Sequence, residues 1–180
     1  TELNFFQQVG LKEKLKDTQV ILSQILPKDN RLHLQHGPID IILHVESSEE
    51  VRKRLYLSAS NRLSTVLDEL VTELDVLRLP WSADRPTPHG RIAQKMFAAV
   101  RGSGIFVTPM AAVAGAVAEE ILESMLIDAK NTDPCLEEIK RMYVNNGGDI
   151  AFWLNSGKSF SIGVVENPGI PELNARVSLA

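Results

Sequence analysis

The stretch "IDIILHVE", residues 39–46, alternates without a break. Ile39, Ile41, Leu43 and Val45 fall on one face; Asp40, Ile42, His44 and Glu46 fall on the other. A period of two predicts a strand with one buried face. Upstream, "RLHLQ" (31–35) also alternates, "PKDN" (27–30) carries turn residues, and "DTQVILSQIL" (17–26) is rich in β-branched and apolar residues. Together they predict a hairpin. Gly37-Pro38 reads as a bulge or bend, because proline cannot donate to a ladder.

After Glu46 the period changes. Val51, Leu55, Ala59, Leu63, Val66, Leu70 and Leu74 recur every three or four residues, with Leu67 and Val71 widening the stripe. This predicts a long helix on a sheet, ending before Pro80. Ser47 and Glu50 have the spacing of a capping box. Residues 79–90, "LPWSADRPTPHG", form a Pro-rich loop. A second helix over 91–100 points Ile92, Met96, Phe97 and Val100 inward, a third covers 109–127, and a short one covers 135–142. "YVNNGGDIAFWL" and "SFSIGVVEN" read as strands flanking a hairpin turn at 155–158. In the first of them Ile150, Phe152 and Leu154 are the expected core face, opposite Asp149, Ala151 and Trp153. Strands, then helices, then strands predict an α+β fold with a mainly antiparallel sheet packed by helices. The length, 180 residues, suits a single domain over 1–180.

Composition narrows the classes. The chain is 44% hydrophobic, enough for a real core. The formal net charge is −4 and aromatics are 6%, which argues against a nucleic-acid surface. No run of about 20 apolar residues predicts a membrane span. Cys135 is the single cysteine, so no intramolecular disulfide forms and no cysteine-based zinc site exists. That fits a reducing compartment, and a cytoplasmic protein is the expectation.

Three stretches could carry chemistry. In "TPMAAVAGAVAEE" (108–120), Thr108 is a good N-cap and Pro109 a good first helical residue. Ala111, Ala114, Gly115, Ala118 and Leu122 make a stripe of mostly small residues, while Glu119, Glu120 and Glu123 form the polar face. Close helix packing explains the stripe. A helix start with free N–H groups at Met110 and Ala111 would also suit a phosphate. In "NNGGDI" (145–150), Gly147 and Gly148 weaken a strand, so either a bulge lies there or a ligand lies against them. Asn145, Asn146 and Asp149 supply polar groups at that point. Among the histidines, His33 and His36 point to opposite faces and complete no metal set, so surface positions are expected. Cys135, beside Pro134 near a helix start, is in a place that can lower a thiol pKa, but a structural or incidental cysteine is the expectation. No nucleophile elbow is present, and no catalytic residue is assigned.

"RLHLQHGPIDIIL", "TPMAAVAGAVAEE" and "NNGGDIAF" together resemble an uncharacterised prokaryotic ApbE-like family, named after the thiamine-biosynthesis lipoprotein. More distantly, the last two resemble the ApbE flavin transferases, in which a Gly/Ala-rich helix start and an Asn-x-Gly-Gly-Asp strand line an FAD site. Those enzymes use magnesium to split FAD and attach FMN to a threonine. The resemblance implies a ligand pocket at Thr108, Met110, Ala111, Asn145, Asn146, Gly147, Gly148 and Asp149, with Asp149 as metal ligand. This chain departs from the transferases where Ala114 precedes Gly115 in place of a lysine, and where Glu119 stands for an aspartate. The Asp/Ala/Thr-rich C-terminal segment of the transferases does not follow, so a missing segment is expected. The N-terminus carries no lipid-attachment cysteine.

The expectation is a protein that binds FAD, a flavin or another nucleotide, with magnesium-dependent chemistry undetermined. The rivals are a non-catalytic interaction module on the same fold and an enzyme acting on another small anionic metabolite. The missing lysine favours the rivals over flavin transfer. The expected partner is a small phosphorylated or flavin ligand, with no nucleic acid and no membrane, in a chain that could form homo-oligomers. Thr108 and Asp149 are expected to converge on one pocket.

Overall fold

A computed structural model describes residues 21–132, 135–164, 169 and 175–180. Five strands form one antiparallel sheet in sequence order: β1 (Leu22–Ile25), β2 (Leu32–His36), β3 (Ile39–Glu46), β4 (Arg141–Asn146) and β5 (Asp149–Leu154). A separate two-stranded ribbon pairs β6 (Phe160–Val164) with β7 (Ala175–Leu179). Between β3 and β4 lie α1 (Glu49–Thr72), α2 (Leu74–Leu77), α3 (Arg91–Ala99), a 3-10 turn (Pro109–Ala112), α4 (Val113–Lys130) and α5 (Cys135–Glu138). The fold is α+β, as the order of periods predicts. Among the described residues no helix is long and apolar enough to cross a membrane.

The helices cover one face of the sheet only. Leu32 and Leu34 of β2, Ile39, Ile41, Leu43 and Val45 of β3, and Met142 and Val144 of β4 are buried beneath α1 and α4. An antiparallel sheet with one solvated face produces this alternation. α4 packs against α1, α3, β4 and β5, so it is buried nearly all round. That position explains its alanines, because small side chains let backbones approach from several sides.

Several expectations are corrected. The N-cap of α1 is Ser48, which accepts from the Val51 N–H at 3.4 Å; Ser47 lies one residue outside. Val71 is exposed, so the apolar stripe of α1 is narrower than its sequence implies. Gly37-Pro38 is the hairpin turn between β2 and β3, with His36 opposite Ile39, and not a bulge. The short helix stops at Glu138, and Met142 belongs to β4, where its side chain reaches the core. Residues 155–158 form a turn, with the Lys158 N–H donating to the Asn155 carbonyl at 3.0 Å, but β5 and β6 do not pair across it. His36 is buried, with Nδ1 3.3 Å from the Leu63 carbonyl oxygen, and is no surface histidine. Cys135, by contrast, is the structural cysteine expected: it is buried, and burial pushes its thiol pKa up.

The largest correction concerns β5. Ile150 and Phe152 are 42% and 40% exposed, while Ala151 and Trp153 pack against the core. Hairpin register decides this. Asn146 pairs with Asp149, which sets Ala151 opposite Val144 and Trp153 opposite Met142. The buried face of β4 therefore selects the less apolar-looking face of β5.

Candidate functional site

The turn between β4 and β5 is built by its glycines. Gly147 has φ 62° and Gly148 φ 109°, the left-handed values a two-residue hairpin needs. A Cβ at either position would meet nothing within 4 Å, so no close neighbour explains the pair. Asn145 stiffens the turn, its Oδ1 accepting from the Gly148 N–H at 2.9 Å. Asn146 is buried on the core face and donates from Nδ2 to the Ala114 carbonyl at 3.1 Å, tying the turn to α4. Asp149 follows on the same face, and a Cβ on Gly115 would lie 3.9 Å from the Asp149 Cβ. An acidic side chain beside the first turn of a helix is favoured by the dipole.

A cleft of about 510 Å³ opens between α4 and β5. Ala112, Gly115, Ala116, Glu119 and Leu122 form one wall, Asp149 to Phe152 the other, and Lys95 and Ala99 of α3 close the end. This is the size range of small-molecule sites. The small stripe of α4 leaves the room: a larger side chain at Ala112, Gly115 or Ala116 would fill it.

Its charges are unequal. The Lys95 ammonium is held by Glu123 at 2.7 Å, Glu120 at 3.2 Å and Glu119 at 3.6 Å. Burial alone would raise the Glu123 carboxyl, but Lys95 and Arg91 hold it below its usual range. Glu120, expected on the polar face, is 4% exposed and is met by Arg62 of α1 and by Arg91 and Lys95 of α3. Asp149 has no ion-pair partner among the described residues. The cleft therefore presents an unpaired carboxylate and an ammonium already ion-paired to three carboxylates, which suits donor groups and not bare phosphate.

Of the residues predicted to form the site, Asn146 and Asp149 meet α4 and Asp149 lines the cleft. Asn145 lies on the opposite face of the sheet, and Gly147 and Gly148 form the turn. Thr108, Met110 and Ala111 lie at the 3-10 turn before α4 and do not line the cleft. Thr108 makes no side-chain cap, the Ala111 N–H donates to the Thr108 carbonyl at 3.0 Å, and Met110 packs against the core. Thr108 and Asp149 thus do not converge on this cleft; Gly115 takes the place expected of Thr108. The sequence reading missed Lys95 and Ala99, whose four-residue spacing on α3 was a visible but common signal. Among the described residues no three His, Cys, Asp or Glu side chains are grouped to hold a metal.

The profile of a family described as AbpE bacteria matches residues 23–180. No match was found among curated proteins or among solved structures. The matching family is a different one from the ApbE flavin transferases, and nothing found points to an ApbE-like protein or to the thiamine-biosynthesis lipoprotein. That overturns the resemblance drawn from three motifs. Two of those motifs have local explanations: "NNGGD" is a tight hairpin turn, and the alanine-rich helix is the central packing element.

Proposed function

The chain belongs to the AbpE bacteria family, whose description names no activity, and from its own cleft we propose a small-molecule-binding function. The ligand has an apolar body and hydrogen-bond donors, as in a nucleoside, a polyol-bearing ring or an amine. One observation carries this reading: a cleft of about 510 Å³ walled by small residues, with the unpaired Asp149 carboxylate on its wall. The body lies between Ala116, Leu122 and Ala151, and a hydroxyl or ammonium group donates to Asp149. A hydrogen bond to a charged group contributes about 1.5–3 kcal/mol, so Asp149 sets affinity and orientation.

Calorimetric titration of adenosine and of riboflavin tests the reading. At least one is expected to bind the unmodified protein. Asp149→Asn is expected to weaken that binding roughly 10- to 100-fold, with an unchanged melting temperature. Binding of neither compound, or affinity indifferent to Asp149→Asn, would sink the proposal.

A further inference from the structure

On the far side of α3 lies a second cavity, of about 380 Å³, between that helix and the Pro-rich loop. Its chemistry is opposite to that of the α4–β5 cleft. Arg85 and Arg101 line it, and no Asp or Glu does. Arg31, Arg54, Arg62, Arg91 and Arg141 all pair with carboxylates. Arg85 and Arg101, like Arg52, Arg78 and Arg176, pair with none among the described residues, but only these two line a cavity with aromatic walls. Trp81 and Phe97 supply aromatic surface in the same walls. The Trp81 indole N–H is buried without a hydrogen-bond partner, although buried donors are nearly always satisfied.

The walls are held in place. The Trp81 backbone N–H donates to the Val107 carbonyl at 2.9 Å, stitching the loop to the segment before the 3-10 turn. Gln94 of α3 donates from Nε2 to the Pro88 carbonyl at 3.1 Å and the His89 carbonyl at 3.2 Å. The Glu73 carboxylate accepts from the N–H groups of His89 at 2.8 Å and Gly90 at 2.6 Å, anchoring the end of the loop. A Cβ at Gly90 would lie 2.7 Å from a Glu73 carboxylate oxygen, so a larger residue there would displace that anchor.

We propose that this cavity binds a small planar organic anion, an aromatic acid or a nucleoside phosphate, its ring against Trp81 and Phe97 and its charge on Arg85 and Arg101. Guanidinium groups match carboxylate and phosphate oxygens and also stack on planar rings. The cavity is independent of the α4–β5 cleft, with which it shares only the helix between them.

Fluorescence titration with 8-anilinonaphthalene-1-sulfonate tests this, with neutral N-phenyl-1-naphthylamine as control. The sulfonate is expected to bind at least tenfold tighter than the neutral compound, and more weakly as salt rises. The double substitution Arg85→Gln/Arg101→Gln is expected to weaken it at least tenfold at unchanged melting temperature, and Arg101→Gln alone to give a smaller loss. Asp149→Asn is expected to leave it unchanged. Displacement by AMP identifies a nucleotide source, and displacement by salicylate an aromatic acid. Displacement by neither, equal binding of the neutral compound, binding that survives loss of both arginines, or binding lost with Asp149→Asn would overturn the assignment.

Discussion

His44 is half-buried on the outer face of β3, its ring centroid 6.4 Å from that of Tyr143 and its Nδ1 3.4 Å from the Tyr56 hydroxyl. The same hydroxyl donates to the Asn30 carbonyl at 2.6 Å, and burial pushes the Tyr56 pKa up to about 12. Burial, aided by Arg52, also lowers the His44 pKa from its ordinary 6.5. The folded protein thus holds this proton less tightly than the unfolded chain does. Its contribution is complete above about pH 6.5 and is lost as pH falls through the lowered value. Urea midpoints taken from about pH 7.5 down to about 5.5 should fall, and His44→Gln should flatten the fall. An unchanged slope in that variant would assign the effect elsewhere. At this scale much was legible. The opposite faces of His33 and His36 follow from strand period alone, and His33 indeed lies 2.8 Å from Asp40 on the outer face. That His36 is buried was not legible, because no local pattern reveals what covers a face.

At the scale of elements, β5 separates what period can and cannot decide. Alternation assigns Ile150, Phe152 and Leu154 to one face, and it does so correctly. It cannot say which face is inside. Hydrophobicity favours that set, but pairing with β4 turns Ala151 and Trp153 inward. Phe152 instead meets Phe160 edge-on at 5.9 Å on the outer face, where Arg141 also lies 5.2 Å from the Phe160 ring. Trp153→Ala is therefore expected to cost about 3 kcal/mol or more, and Phe152→Ala under about 2 kcal/mol. Denaturant unfolding of the two variants gives the order directly, and a reversed order would place the register one residue off. The start of α4 shows the same limit. Thr108-Pro109 does begin a helical segment, but as a 3-10 turn, with the α-helix running only from Val113. Propensity locates such a start within a few residues, and packing chooses the rest.

Across the whole molecule, Glu120 joins three helices. It is 4% exposed, with Arg62 at 3.2 Å, Arg91 at 3.3 Å and Lys95 at 3.2 Å. Arg62 is held in turn by Glu69 at 2.7 Å. Without Glu120, Arg62 keeps Glu69 at 2.7 Å, and Lys95 and Arg91 keep Glu123 at 2.7 and 3.0 Å. Glu120→Ala is thus expected to cost about 1–3 kcal/mol in chemical denaturation, the range for losing hydrogen bonds to charged groups. A loss below about 1 kcal/mol would show that water serves these cations equally well. Lys95 belongs both to this network and to the end wall of the α4–β5 cleft, so helix packing and cleft charge are coupled through one side chain.

The sequence by itself determined the strand β3, the long helix α1, the first hairpin and the α+β class. Each rests on a period read over neighbouring residues, and hydrophobic burial acts on that period wherever the element lies. It also marked the Gly-Gly turn and the alanine helix as unusual. Only the tertiary structure decided what those features are for. Gly147 and Gly148 serve a turn, and α4 needs small residues because α1, α3 and the sheet surround it. The identity of the cleft wall, with Lys95 from α3 and Asp149 from β5, depends on chain segments more than fifty residues apart meeting at one helix. No local pattern encodes such a meeting. It follows from which faces remain to be buried once every element has formed.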